Sequence, residues 1–173
     1  MWFPPLKRGW SAVGRARQSP TYAGGVDEWQ RDEWVDLMLD DLETWAVIGL
    51  SGDRGRTAYS IAELLQRRGK RIVPIHPRFA DAVPGNDEVL GERGYATLAD
   101  VPFPVDVVDV FRRSDAAGEF ADAAVAVHAK AVWFQLGVVD EDAFRRTTGA
   151  GFPMVMDTCP AIEWRRRDHP RSA

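Results

Sequence analysis

The sequence predicts an α/β fold, a doubly wound and mostly parallel sheet of about five strands with helices on both faces. Three observations predict it. From Thr44 onward, short and nearly continuous apolar runs alternate with amphipathic segments, which is the pattern of strands covered by helices on both sides. The intervening segments are long enough for the crossovers that parallel strands require. At 173 residues, 45% of them hydrophobic, the chain can bury the core of one such domain and has little room for a second.

Residues 1–26 carry Lys7, Arg8, Arg15 and Arg17, no acid, and scattered Pro, Gly and Ser, so they read as a flexible basic leader. The domain is expected over 27–167, with 168–173 as a tail. Charge reverses over 26–43, where eight acids face the single base Arg31. Within that stretch Trp34, Val35, Met38, Leu39 and Leu42 recur at three- and four-residue spacing, so an acidic helix is expected over 28–42. It either covers the sheet or pairs two copies in a homodimer.

Strands are expected over 45–50, 71–75, 105–111, 131–136 and 153–156, with a short edge strand over 95–97. Ala58, Ile61, Ala62 and Leu65 mark a helix ending at Gly69, a left-handed cap. Ala116, Phe120, Ala123, Ala124 and Val127 mark a second, with Ser114 or Asp115 as its N-cap. Asp140 opens a third, with Glu141 and Asp142 near its positive end.

A net charge of -4 and a pI near 5.4 give no overall basic surface for nucleic acid. No run approaches the roughly 20 apolar residues that span a bilayer, so no membrane partner is expected. Cys159 is the single cysteine and cannot form an internal disulfide, which points to a reducing, cytoplasmic setting. Asp157 two residues earlier would raise its thiol pKa, so it reads as a small packed hydrophobe rather than a nucleophile. His128 reads as structural at a helix end, and His169 falls in the tail. Three separated histidines and one cysteine have no metal-ligand spacing. Trp45, Trp133 and Trp164 read as packing residues.

In a doubly wound sheet the ligand sits beyond the carboxyl ends of the strands, so functional residues should directly follow strands. After the first strand comes a loop with Gly49, Gly52 and Gly55 that runs into a helix. Glycines allow close backbone approach to an anion, and the free N–H groups of the helix start attract phosphate. Ser51, Thr57 and Ser60 offer hydroxyls, while Arg54 or Arg56 offers positive charge. The spacing is neither the dinucleotide Gly-x-Gly-x-x-Gly nor a P-loop, and a tight turn with solvent-facing arginines is the competing reading. Nicotinamide enzymes usually end the second strand with an acid that holds the ribose hydroxyls. Here the chain reads Ile75-His76-Pro77-Arg78, without an acid. A phosphorylated ribose, as in NADP or coenzyme A, is compatible with that ending, and so is a purely structural His76 in a rigid turn.

The ordered set Ala46-Val47-Ile48-Gly49-Leu50-Ser51, Tyr59-Ser60, Val73-Pro74-Ile75-His76-Pro77, Val105-Asp106-Val107-Val108-Asp109-Val110-Phe111-Arg112-Arg113, Val132-Trp133-Phe134-Gln135-Leu136-Gly137 and Met156-Asp157-Thr158-Cys159 resembles the stand-alone CoA-binding domain proteins. These are Rossmann-like and similar to the CoA-binding domain of the succinyl-CoA synthetase α subunit. The resemblance covers about residues 42–167 and departs from the family at His76, where Asn usually precedes the Pro. It implies that Gly49, Leu50, Ser51 and Arg54 line a pyrophosphate loop supported by Ser60. His76, Pro77 and Arg78 would border the adenosine, Phe111 and Arg112 would cross the mouth of the central strand, and Gln135 to Gly137 would close the pantetheine side. The implied ligand is coenzyme A or an acyl-CoA. Without an evident nucleophile or acid–base pair the expected role is binding rather than catalysis, the alternatives being a component of an acyl-CoA ligase or transferase, or an NAD(P)-binding redox protein.

Overall fold

A computed structural model describes residues 28–83 and 85–168. The leader over 1–26, His169 and the tail beyond residue 168 lie outside the described residues. Five parallel strands form the main sheet: β1 (Thr44–Ile48), β2 (Arg71–Ile75), β5 (Val107–Val110), β6 (Ala131–Phe134) and β7 (Met154–Val155), in the order β2-β1-β5-β6-β7. This is the doubly wound Rossmann-like architecture the apolar runs predict. A small antiparallel hairpin, β3 (Glu88–Val89) with β4 (Glu92–Arg93), follows β2. The sheet is central because its strands are apolar on both faces. Alternating residues of each strand feed two cores: Trp45, Val47, Val107 and Trp133 face one way, and Ala46, Ile48, Val108, Val110 and Phe134 face the other.

The first core is covered by α1 (Asp32–Asp36), α2 (Thr57–Arg67) and α5 (Pro160–Asp168), and the second by α3 (Ser114–Ala126) and α4 (Glu141–Gly149). Acids of the first helix meet arginines of the last: Asp32 pairs with Arg166, and Asp36 and Asp40 pair with Arg167. Asp168 ends α5 and pairs with Arg68. On the other face Asp140 caps α4 by accepting from Ala143 N at 2.9 Å. Gly118 of α3 leaves the room that this cap occupies, since a Cβ there would collide with the Asp140 carboxylate.

Several local expectations are corrected. The acidic helix begins at Asp32 rather than residue 28, because Trp29 O accepts from Met156 N at 3.1 Å and Gln30 Nε2 donates to Asp157 O at 2.7 Å, drawing that segment against the end of β7. Its second half, Leu37–Asp41, is a π-helical turn, and Val35, Met38, Leu39 and Leu42 are buried as the spacing predicts. The strand over 95–97 reduces to one bridge between Ile75 and Tyr95. Neither Ser114 nor Asp115 is the N-cap of α3. Arg113 occupies that position, while the Ser114 hydroxyl accepts from Val139 N at 2.9 Å and the Asp115 carboxylate pairs with Arg113. The fully buried face of α3 is Ala117, Gly118, Ala121 and Ala124, so Phe120, Ala123 and Val127 lie beside the core rather than in it. Helix α5 has no counterpart among the expected elements; Asp32, Asp36 and Asp40, distant in the chain, lie opposite its Arg166 and Arg167.

The contact between α3 and α4 generates a coupled prediction. Asp140→Ala should cost about 1 kcal/mol through loss of the cap. Gly118→Ala should destabilise the wild type despite alanine's better helix propensity, yet stabilise the Asp140→Ala background, where the opposing carboxylate is gone. Urea midpoints of the four proteins measure this, and simple additivity would refute it.

Candidate functional site

Strand order reverses between β1 and β5, and their carboxyl ends part there. From β1 the chain turns toward α2 on one face, and from β5 toward α3 on the other, leaving the crevice in which doubly wound sheets hold ligands. Gly49 makes the turn with φ of +96°, and a Cβ on it would sit 3.2 Å from Phe111 O, so only glycine fits without strain. Its N–H donates to Ile75 O at 2.8 Å, and Phe111 N donates to Ile48 O at 3.1 Å. The ends of β1, β2 and β5 are thereby tied around one point.

Two cavities open on either side of it. A larger one of about 610 Å³ lies on the α2 and α5 side, between Gly49, the start of α2, Phe111, Gln135, Leu136 and Cys159. A smaller one of about 370 Å³ lies on the α3 side, walled by Ile75, Pro77, Leu98, Arg112, Phe120 and Val127. The apolar residues of α3 that stand beside the core therefore have a second use. Two of the exposed large hydrophobics, Leu136 (60% exposed) and Ile162 (46%), rim the larger cavity.

Positive charge gathers at this edge. Most arginines of the described residues are paired with carboxylates; of the five without such a partner among those residues, Arg71 and Arg165 lie at the start of β2 and on α5, while Arg54, Arg78 and Arg112 lie at this edge. Arg78 lies across the glycine loop, close enough that a Cβ on Gly52 would be 3.6 Å from its guanidinium nitrogen. Arg54 stacks on Tyr59 and Arg112 on Phe120. Helix α2 starts behind the loop with no side-chain cap and no acid in its first turn, which leaves the N–H groups of Thr57 and Ala58 free for an anion, while Tyr59 N donates to Arg56 O and Gly55 N to Asp53 Oδ1. His76 accepts the Arg78 N–H on Nδ1 at 3.1 Å and so caps the turn Pro77–Phe79. Burial, then the charges of Arg78, Arg112 and Arg56, hold its imidazole below its ordinary pKa, so it is neutral at pH 7 with Nε2 carrying the proton.

Beneath the larger cavity is an acid to which the sequence reading assigned no role. Asp109, in the middle of β5, is fully buried. Its Oδ1 accepts from Gln135 Nε2 at 2.6 Å, while Oδ2 has no hydrogen-bond partner among the described residues. Burial drives its pKa up to about 8 against the smaller opposing effect of the Gln135 hydrogen bond, so the carboxyl is protonated at neutral pH. The signal available in the sequence was an acid set between Val108 and Val110 in a strand with no polar face.

The predicted site residues separate into groups. Gly49, Phe111 and Gln135 line the larger cavity. Gly49, Pro77 and Arg112 line the smaller one. Arg78 and His76 flank the glycine loop. Leu50 is buried and presents no side chain to the crevice, whereas Ser51 is half-buried in the loop. Arg54 is exposed. Ser60 is exposed on α2 and lines neither cavity. Gly137 has φ of +82° and donates its N–H to Asp157 Oδ1 at 2.7 Å, which fixes the turn after β6. Thr57, one of the hydroxyl candidates of the loop, also lines the larger cavity, whereas Cys159 and Ile162 enter the lining only through tertiary packing. Among the described residues no group of three or more His, Cys, Asp or Glu is placed to hold a metal, and no helix is long and apolar enough to cross a membrane.

Comparison with known proteins supplies the family. The family model described as a CoA binding domain matches residues 43–165. The protein YneT of Bacillus subtilis (strain 168) is 32% identical over 114 residues, covering 66% of this chain and 79% of YneT. The structure of cell-free ID.343 from Thermus thermophilus superposes with a TM-score of 0.69 at 32% identity, over 78% of this chain and 97% of that one. The PH1109 protein redesigned for binding gives a TM-score of 0.68 at 30% identity, over 78% and 90% of the two chains.

Asp109 makes stability depend on pH with a defined sign. Its folded pKa of about 8 lies above the unfolded carboxyl value of about 3.9, so between those pH values the folded state binds a proton that the unfolded state does not. Stability therefore falls as pH rises through this window. Asp109→Asn removes the effect, and its stability relative to wild type should increase by up to about 1.4 kcal/mol per pH unit between pH 5 and 7. Urea unfolding at the two pH values tests this; a constant difference would be the contrary result.

Proposed function

Because the chain belongs to the CoA-binding domain family, we propose that it binds coenzyme A or an acyl-CoA across the carboxyl edge of its sheet, as a binding module without a catalytic group of its own. The observation that carries this reading is the set of arginines, Arg54, Arg78 and Arg112, left without carboxylate partners around the glycine loop and the uncapped start of α2. In a chain of net charge -4, cations left unpaired at one edge are suited to an anionic ligand.

Each part of the ligand has a complementary surface. The smaller cavity, with Ile75, Pro77, Leu98 and Phe120, suits an adenine ring. The loop from Gly49 to Gly55 and the first N–H groups of α2 suit a pyrophosphate, with Leu50 and Ser51 contributing backbone and Arg54 countercharge. His76 Nε2–H, Arg78 and Arg112 suit the 3′-phosphate that distinguishes coenzyme A from NAD. The pantetheine arm then extends past Phe111 into the larger cavity toward Gln135, Gly137 and Cys159. Ser60 supports the loop from α2 without touching the ligand.

Isothermal titration with CoA, acetyl-CoA and NADP tests the reading. CoA should bind, more weakly at higher salt, and NADP should bind less tightly because it has no arm for the larger cavity. Arg78→Ala and Arg112→Ala should each weaken CoA binding about tenfold or more, the effect of losing a charge-assisted hydrogen bond. Absence of heat with every CoA species would sink the proposal.

A further inference from the structure

We propose that Asp109 is a positioning residue that fixes the side chain of Gln135 so that its Oε1 faces the larger cavity as a hydrogen-bond acceptor for an amide N–H or hydroxyl of the ligand's pantetheine arm. This rests on the CoA reading above and says which atom of the protein selects the arm.

Three features carry it. Asp109, Phe111 and Gln135 share one face of the sheet, because Asp109 is in register with Trp133, two residues before Gln135, and lies two residues before Phe111. Phe111 and Gln135 line the cavity, so the Asp109 carboxyl lies directly beneath its lining. One N–H of the Gln135 amide is committed to that carboxyl at 2.6 Å, which fixes the amide plane and leaves Oε1 with no protein donor among the described residues.

The chemistry of the preferred ligand group follows. A planar amide with one N–H held by a buried acid presents its carbonyl oxygen as an acceptor beside the one N–H that remains. Phosphates, carboxylates and carbonyls are acceptors and cannot donate to Oε1, so with them it stays unpaired. A pantetheine arm carries two amide N–H groups and a hydroxyl, any of which can donate to Oε1, and amide carbonyls that can accept the remaining N–H. The retention of an acid in the centre of an apolar strand is thereby accounted for: an apolar residue would pack there without an unpartnered oxygen, but would release the glutamine to rotate.

The test uses titration of the full chain with two ligands, CoA and adenosine 3′,5′-bisphosphate, which has the phosphorylated ribose but no arm. Asp109→Leu, close in volume and suited to its apolar neighbours, should weaken CoA about tenfold and leave the bisphosphate unchanged. Gln135→Leu should do the same, and the double variant should be no worse than either single one. Asp109→Asn keeps an acceptor for Gln135 Nε2 and should bind CoA within about threefold of wild type. The inference is overturned if Asp109→Leu and Gln135→Leu bind CoA as wild type does, or if they lose both ligands equally. Failure of the wild type to bind CoA is a different result, and it removes the CoA reading itself.

Discussion

The divergence of β1 and β5 at the reversal of strand order is the constraint on which the rest of the structure depends. Two adjacent parallel strands send their chains to opposite faces, so nothing covalent fills the space between their ends. Gly49 and Phe111 meet across that gap closely enough that a β-carbon on the former would crowd the Phe111 carbonyl. Both cavities, the glycine loop and the exposed start of α2 follow from it. Helices that cover the sheet elsewhere cannot close this edge, because each must begin or end beside it.

Charge is arranged around the same geometry. Away from the crevice most arginines meet acids in pairs, most conspicuously where α1 and the turn after it lie against α5. Exposed pairs of that kind contribute little individually and chiefly orient the helices. At the crevice Arg56 pairs with Asp53, while three other arginines rest on aromatic rings, Arg54 on Tyr59, Arg78 on Phe79 and Arg112 on Phe120. A ring holds a guanidinium in place without neutralising it, so these side chains are ordered and still available to an anion. The neutral His76 and the protonated Asp109 complete an edge that carries no negative charge from either.

Much of the fold was legible because parallel strands buried on both faces must be apolar throughout, as in Val47-Ile48, Ile72-Val73 and Val132-Trp133. Capping chemistry was legible where one local partner sufficed, as at Asp140 and at Gly69, with its φ of +82°. It failed at Ser114, whose hydroxyl is used by Val139 of the next loop, a partner no local rule can supply. Likewise the outward position of Ser60 and the burial of Leu50 depend on how α2 and the loop are rotated against the sheet. The hairpin of β3 and β4 is too short to leave a periodic trace.

The sequence by itself determined the layered α/β architecture, the glycine loop that directly follows the first strand, and the absence of an acid at the end of β2, since each follows from residue type and spacing along one segment. Only the tertiary structure decided that two cavities rather than one flank Gly49, that Arg54, Arg78 and Arg112 remain unpaired, and that Asp109 reaches Gln135. Those are relations between segments distant in the chain. Their energies depend on separation and burial in space, which no local pattern encodes.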